Sequence, residues 1–133
     1  KGTFRVMDED FRIKTHEEML AIANNIAETY SLTIDFDIRK GYPCLVNDEG
    51  VTKKSISFAK EYMGAENVID LPIRMTAEDF SYYSHQVPSC FYRLGTANRS
   101  KGIIHGLHTS RFNIDESSLK VGMGLMAYLA IKN

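Results

Sequence analysis

The chain has 133 residues, with 16 Lys and Arg against 17 Asp and Glu, four His and a formal charge of -1. Hydrophobic residues make up 44% and charged residues 25%, the balance of a folded core, which excludes a disordered tail, a basic nucleic-acid binder and a binder of anionic membranes. No apolar run approaches the roughly 20 residues that cross a bilayer, and two widely spaced thiols, Cys44 and Cys90, make neither a disulfide framework nor a thiolate metal site, so a cytoplasmic location is expected.

The opening alternates Phe4 and Val6 with Thr3 and Arg5, a strand already under way by the third residue. Such a strand needs neighbours for its backbone groups, so the chain is expected to be a piece of a longer protein. Thr15-His16-Glu17-Glu18 has the form of a capping box. Met19, Ile22, Ala23, Ile26 and Tyr30 follow as one apolar helical stripe. Leu32, Ile34, Phe36 and Ile38 then alternate with polar residues as a half-buried strand. The unit reads as the strand-helix-strand half of a split β-α-β layer, which cannot bury its own apolar face.

Gly41-Tyr42-Pro43 breaks this pattern. A second helix is expected with Thr52 as cap, Val51 stapled against Ile56, and Gly64 as a left-handed end. Residues 67–71 read as a short buried strand, Thr76 as the cap of a short helix carrying Glu78, Asp79 and Phe80, and residues 90–94 as a further strand. From Gly95 to Asn113 no periodicity appears, and long aperiodic loops inside a domain are usually functional. Residues 113–116 resemble another capping box, and the final helix is apolar nearly all round, which predicts burial.

The densest reactive cluster lies in that loop: His105-Gly106-Leu107-His108-Thr109-Ser110-Arg111-Phe112. Two imidazoles three apart can face one metal, although such pairs are often merely solvated, and a catalytic zinc takes about three protein ligands. Glu78 and Asp79 suit the positive end of a helix with or without a function. Arg5 can pair with a substrate carboxylate through its planar fork or sit as a surface arginine on an edge strand. Ser89 and Ser110 lack the G-x-S-x-G context of a nucleophile elbow. The glycosylation pattern Asn98-Arg99-Ser100 reads as chance.

Taken in order, several short motifs resemble the C-terminal portion of the metal-dependent amidohydrolases. They are Gly2-Thr3-Phe4-Arg5, Gly41-Tyr42-Pro43 with Val46-Asn47, Glu78-Asp79-Phe80, Val87-Pro88, residues 91–95, Leu107-His108-Thr109-Ser110-Arg111-Phe112 and Asp115-Glu116. The family includes hippurate hydrolase, auxin-conjugate hydrolases and N-acyl-amino-acid deacylases, related to aminoacylase and carboxypeptidase-like metallopeptidases. The resemblance implies an α/β fold. Residues 1–40 would form the second half of an inserted, ferredoxin-like lid and dimerisation domain, and residues 41–133 the C-terminal part of a zinc-peptidase-like catalytic domain.

By this likeness His108 matches a metal ligand, while Glu78, Asp79 and Arg5 match groups beside the substrate, with His105 nearby. Ser110 stands where the family usually has proline. No residue of this stretch matches the general base, which lies upstream in the family together with the other ligands. The implied cofactor is a pair of divalent ions, zinc, manganese or cobalt. The implied substrate is an N-acyl amino acid or small peptide, and the expected assembly a homodimer that binds neither nucleic acid nor membrane. One imidazole cannot hold two ions, so the chain by itself is expected to be inactive and to bind metal weakly. The alternative from a different class is a non-catalytic dimerisation module that pairs through the 32–38 strand.

Overall fold

The computed structural model describes residues 1–132. The first long helix, α1 (Glu9–Thr29), begins where the Asp8 side chain accepts from the Phe11 N–H at 2.6 Å. Glu9 and Asp10 then place negative charge in the first turn, where the helix dipole favours it. This corrects the start expected at Thr15. An earlier cap captures the helix, and the Thr15 hydroxyl instead donates back to the Phe11 carbonyl at 2.7 Å.

Asp48 plays the same part for α2 (Glu49–Met63), accepting from Val51 N–H at 2.8 Å. Thr52, the expected cap, falls inside the helix. The end at Gly64 is as expected, with its N–H on the Lys60 carbonyl. Its φ of +90° is positive, which favours glycine, but its ψ of 142° lies outside the left-handed helical region. A short turn of 3-10 helix, Ala65–Asn67, follows. α3 (Ser81–Ser84) begins only after the acidic pair, so Thr76 caps no helix and Glu78 and Asp79 lie in the preceding turn. A second 3-10 turn, Arg99–Lys101, breaks the aperiodic stretch, and α4 (Ser117–Lys132) closes the chain.

Among the described residues no strand forms, and the β pairing consists of one isolated antiparallel bridge between Asn98 and Ile103. The strands expected at 3–6, 32–38, 67–71 and 90–94 therefore run without a ladder, and the strand-helix-strand layer is reduced to its helix. Alternation dictates which side chains share a face, but a strand exists only when a neighbour takes its N–H and C=O groups.

The chain divides into two compact units, Lys1–Val46 with Pro72–Val87, and Asn47–Leu71 with the residues from Pro88 onward. In the first, Arg12 joins α1 to the following segment, bonding Glu9 at 2.6 Å and the Tyr42 carbonyl at 2.8 Å, while Glu9 accepts from Cys44 N–H at 2.7 Å. Tyr42 meets Tyr82 edge-on at 5.8 Å. In the second, α2 packs on α4, with Tyr62 over Tyr128 at 5.4 Å and Leu125 and Leu129 buried.

The expected burial of α4 on all sides is not met. Leu125 and Leu129 are its buried apolar residues, whereas Met123, Met126 and Ile131 remain exposed. On α1, only Ala23 of the predicted stripe is buried, and Ile22, Ile26 and Tyr30 are exposed. An apolar stripe states what needs covering, and within each unit too few elements are present to cover it.

Candidate functional site

His108 occupies a turn over residues 107–111 of the second unit, its side chain exposed and its backbone at φ +63°. Positive φ is uncommon outside glycine, though histidine tolerates it better than most residues. Two hydrogen bonds shape the turn: Thr109 Oγ1 donates to the Gly106 carbonyl at 2.9 Å, and Phe112 N–H donates to the Thr109 carbonyl at 3.1 Å. His105, three residues earlier on the same loop, is half-buried.

The stems of this loop are tied together. Asn98 and Ile103 exchange both backbone hydrogen bonds, at 2.8 and 2.9 Å, and Asp115 N–H donates to the Thr96 carbonyl at 2.9 Å. Asp115 is 7% exposed. It accepts from Asn98 Nδ2 at 2.5 Å, from Lys101 Nζ at 2.8 Å and from the Ser117 N–H at 3.2 Å. The hydrogen bonds from Lys101 and Asn98 hold its carboxyl well below the usual carboxylate range. The sequence pattern places Asp115 in a capping box and Asn98 in a glycosylation pattern. Nothing in the spacing of two residues 17 apart signals that they meet.

Glu78 is half-buried and Asp79 exposed, on the turn that leads into α3 in the first unit. The Glu78 carbonyl accepts from both the backbone and the hydroxyl of the fully buried Ser81, at 3.2 and 2.6 Å, and its carboxylate receives Thr76 Oγ1 at 3.3 Å. Arg5 is exposed on the opening segment of the same unit. The candidates thus fall into two sets, Arg5 with Glu78 and Asp79 in one unit and His105 with His108 in the other.

The Glu9–Arg12 cluster was not singled out from sequence. The i,i+3 pair is legible there, but its anchoring of Tyr42 and Cys44 is not. Glu9 and Arg12 line a shallow depression with Lys40, Gly41, Pro43 and Tyr82. Burial, reinforced by the Glu9 carboxylate, pushes the Cys44 thiol up, which fits a packed side chain and not a nucleophile.

The donor chemistry of the histidine loop suits a divalent metal, since neutral imidazole on a tied turn is a common ligand. Among the described residues no group of three or more His, Cys, Asp or Glu side chains is arranged to hold an ion. The described residues therefore do not complete a ligand set by themselves.

Comparison with known proteins agrees with the motif order. The chain is 35% identical over 133 residues to thermostable carboxypeptidase 2 of Saccharolobus solfataricus, covering 99% of this chain and 33% of that protein. It is 34% identical over 133 residues to thermostable carboxypeptidase 1 of the same organism, with coverage of 99% and 33%. It is 30% identical over 130 residues to YhaA of Bacillus subtilis, provisionally named an amidohydrolase, with coverage of 98% and 33%. The chain spans about a third of the length of the curated relatives it matches. No solved structure matches it significantly. The family and the relatives' names are those of hydrolases, and the family match is consistent with an α/β fold. The family profile runs through residues 3–132, and the chain belongs to peptidase family M20/M25/M40.

Proposed function

We propose that this chain is the C-terminal part of a metal-dependent amidohydrolase or peptidase that cleaves the amide bond of N-acyl amino acids or small peptides. The observation that carries the reading is the family match over residues 3–132 in a chain that spans a third of its relatives' length. Residues 1–40 belong in this reading to a lid through which two subunits meet, and residues 41–133 to the catalytic domain. The full-length enzyme works as a homodimer in the cytoplasm.

Two divalent ions, when bound, polarise the scissile carbonyl and activate a water. The parts assigned to this chain are narrower. His108 contributes one imidazole to the metal site. Arg5 pairs with the substrate carboxylate, and Glu78, Asp79 and His105 hydrogen-bond around the substrate or its supporting groups. In this reading the chemical subtype is that of the hippurate and auxin-conjugate hydrolases.

The test is to assay N-acyl amino acids and dipeptides with zinc, manganese or cobalt, using the chain alone and the full-length protein that carries it. Activity is expected only in the full-length protein, with His108→Ala losing metal and at least a hundredfold in kcat/KM, about the scale of a lost catalytic contact. Turnover by the isolated chain, or full activity in His108→Ala, would sink the reading.

A further inference from the structure

The loop that carries both histidines leaves and returns to one point, and a single carboxylate sits there. Residues 104–114 run out from the Asn98–Ile103 bridge and come back at Asp115, whose backbone N–H lies on Thr96 and whose side chain holds Asn98 and Lys101. Asn98 serves both sides of this junction. Its Oδ1 accepts from Ser100 and Lys101 N–H groups at 3.1 and 3.3 Å, which shapes the Arg99–Lys101 turn, while its Nδ2 reaches Asp115. Asp115 is buried and Asn98 half-buried, so the bond between them is poorly replaced by water, whereas Lys101 stays exposed.

At the far end of the same loop His108 holds a φ of +63°, uncommon for a non-glycine residue. Within the turn the Thr109–Gly106 and Phe112–Thr109 bonds constrain it. The closed stem fixes the two ends from which this turn is carried.

We propose that Asp115, acting through Asn98 and Lys101, is a positioning residue for His108, fixing both ends of the loop so that the imidazole is presented in one place. The proposal rests on the reading of His108 as a metal ligand. A purely structural part for Asp115, capping α4 through the Ser117 N–H, is a separate interaction and can be separated by mutation. Asn98→Ala opens the stem and leaves that cap in place.

The experiment uses the full-length enzyme and measures zinc affinity by chelator competition, together with the visible spectrum of the cobalt-substituted protein. Asn98→Ala and Asp115→Ala are expected to weaken zinc binding about tenfold or more, the usual effect of losing a group that orients a ligand, and to change the cobalt band intensities. Asp115→Asn keeps one oxygen as the acceptor for Asn98 and puts an amide nitrogen where the other oxygen accepts from Lys101 and the Ser117 N–H, so it loses those two bonds and keeps the stem contact. It should restore binding to within about fivefold of wild type. If Asp115→Ala does not fold, Asn98→Ala and Asp115→Asn carry the test alone. Zinc affinity within twofold of wild type in Asn98→Ala, with an unchanged cobalt spectrum, overturns the clamp. His108→Ala separates the two ideas: unchanged zinc affinity there overturns the ligand assignment and the clamp with it, whereas loss there beside unaltered Asn98→Ala overturns the clamp alone.

Discussion

Asp8, Asp48 and Asp115 show how much one short carboxylate decides locally. Each accepts a backbone N–H at or beside a helix start, at 2.6, 2.8 and 3.2 Å, and each thereby satisfies a donor that the helix cannot. Thr15 and Thr52 lose the same role because an aspartate stands upstream of each. Asp115 differs in being buried and in carrying Lys101 and Asn98 as well. Those bonds favour its ionised form, so its folded-state pKa lies below the unfolded value of about 3.9. The stabilisation is therefore complete above that value and is lost as pH falls below it. Urea unfolding across the acid range should show wild type losing stability more steeply than Asp115→Asn below about pH 4. Parallel curves would mean that the carboxylate is not ion-paired in solution. The same geometry answers the Asn98-Arg99-Ser100 pattern: the amide that a glycan would need is already donating to Asp115.

Between elements, the seam of α2 and α4 rests on a close approach that only glycine allows. A Cβ on Gly124 would run into the Tyr62 hydroxyl and the ring carbon that bears it, whereas one on Gly122 would meet the tip of Leu94 at 2.7 Å. A leucine methyl can swing aside. The Tyr62 ring packs at a tilt against Tyr128 and cannot do so without breaking that contact. Alanine is a better helix former than glycine by about 1 kcal/mol, but overpacking costs about 1–3 kcal/mol. Gly124→Ala is thus expected to destabilise the seam despite its propensity gain, and Gly122→Ala to be near neutral. Tyr62→Phe should partly restore Gly124→Ala by removing the nearest atom. Chemical denaturation of the four proteins checks this, and equal midpoints for the two alanine variants would refute the assignment. Lys132 adds a charged edge to the seam, over the Tyr128 ring at 5.2 Å and 3.2 Å from Glu61. The Tyr128 hydroxyl, and then Lys132, lower the Glu61 pKa, but both charged groups are well exposed and contribute little.

For the whole molecule, the accessible surface is the informative quantity. The chain exposes 10765 Å². A compact monomer of 15.1 kDa is expected to expose about 7,100 Å², and even two separate folded halves about 8,500 Å². Large apolar side chains lie on that surface, with Tyr30 70%, Leu32 64%, Ile73 82%, Met123 69% and Ile131 82% exposed. Apolar surface on that scale drives association unless further chain covers it. The chain should therefore sediment as a dimer or larger species at micromolar concentration and bind an apolar-surface dye. A clean monomer with no dye binding would contradict this.

The hydrophobic periods, the glycine stop at Gly64 and the ordered motifs from Gly2 to Glu116 are properties of neighbouring residues, so the linear sequence alone determined three of the helices and the family. Helix starts shifted because competing caps a few residues apart differ by only about 1 kcal/mol. The strands expected on either side of α1 could not be settled this way, because alternation names a face while pairing needs a partner backbone. The meeting of Asn98, Lys101 and Asp115 behind the histidine loop likewise had no local signature. Contacts between residues far apart in the chain exist only once the chain has folded, and there the tertiary structure alone decided.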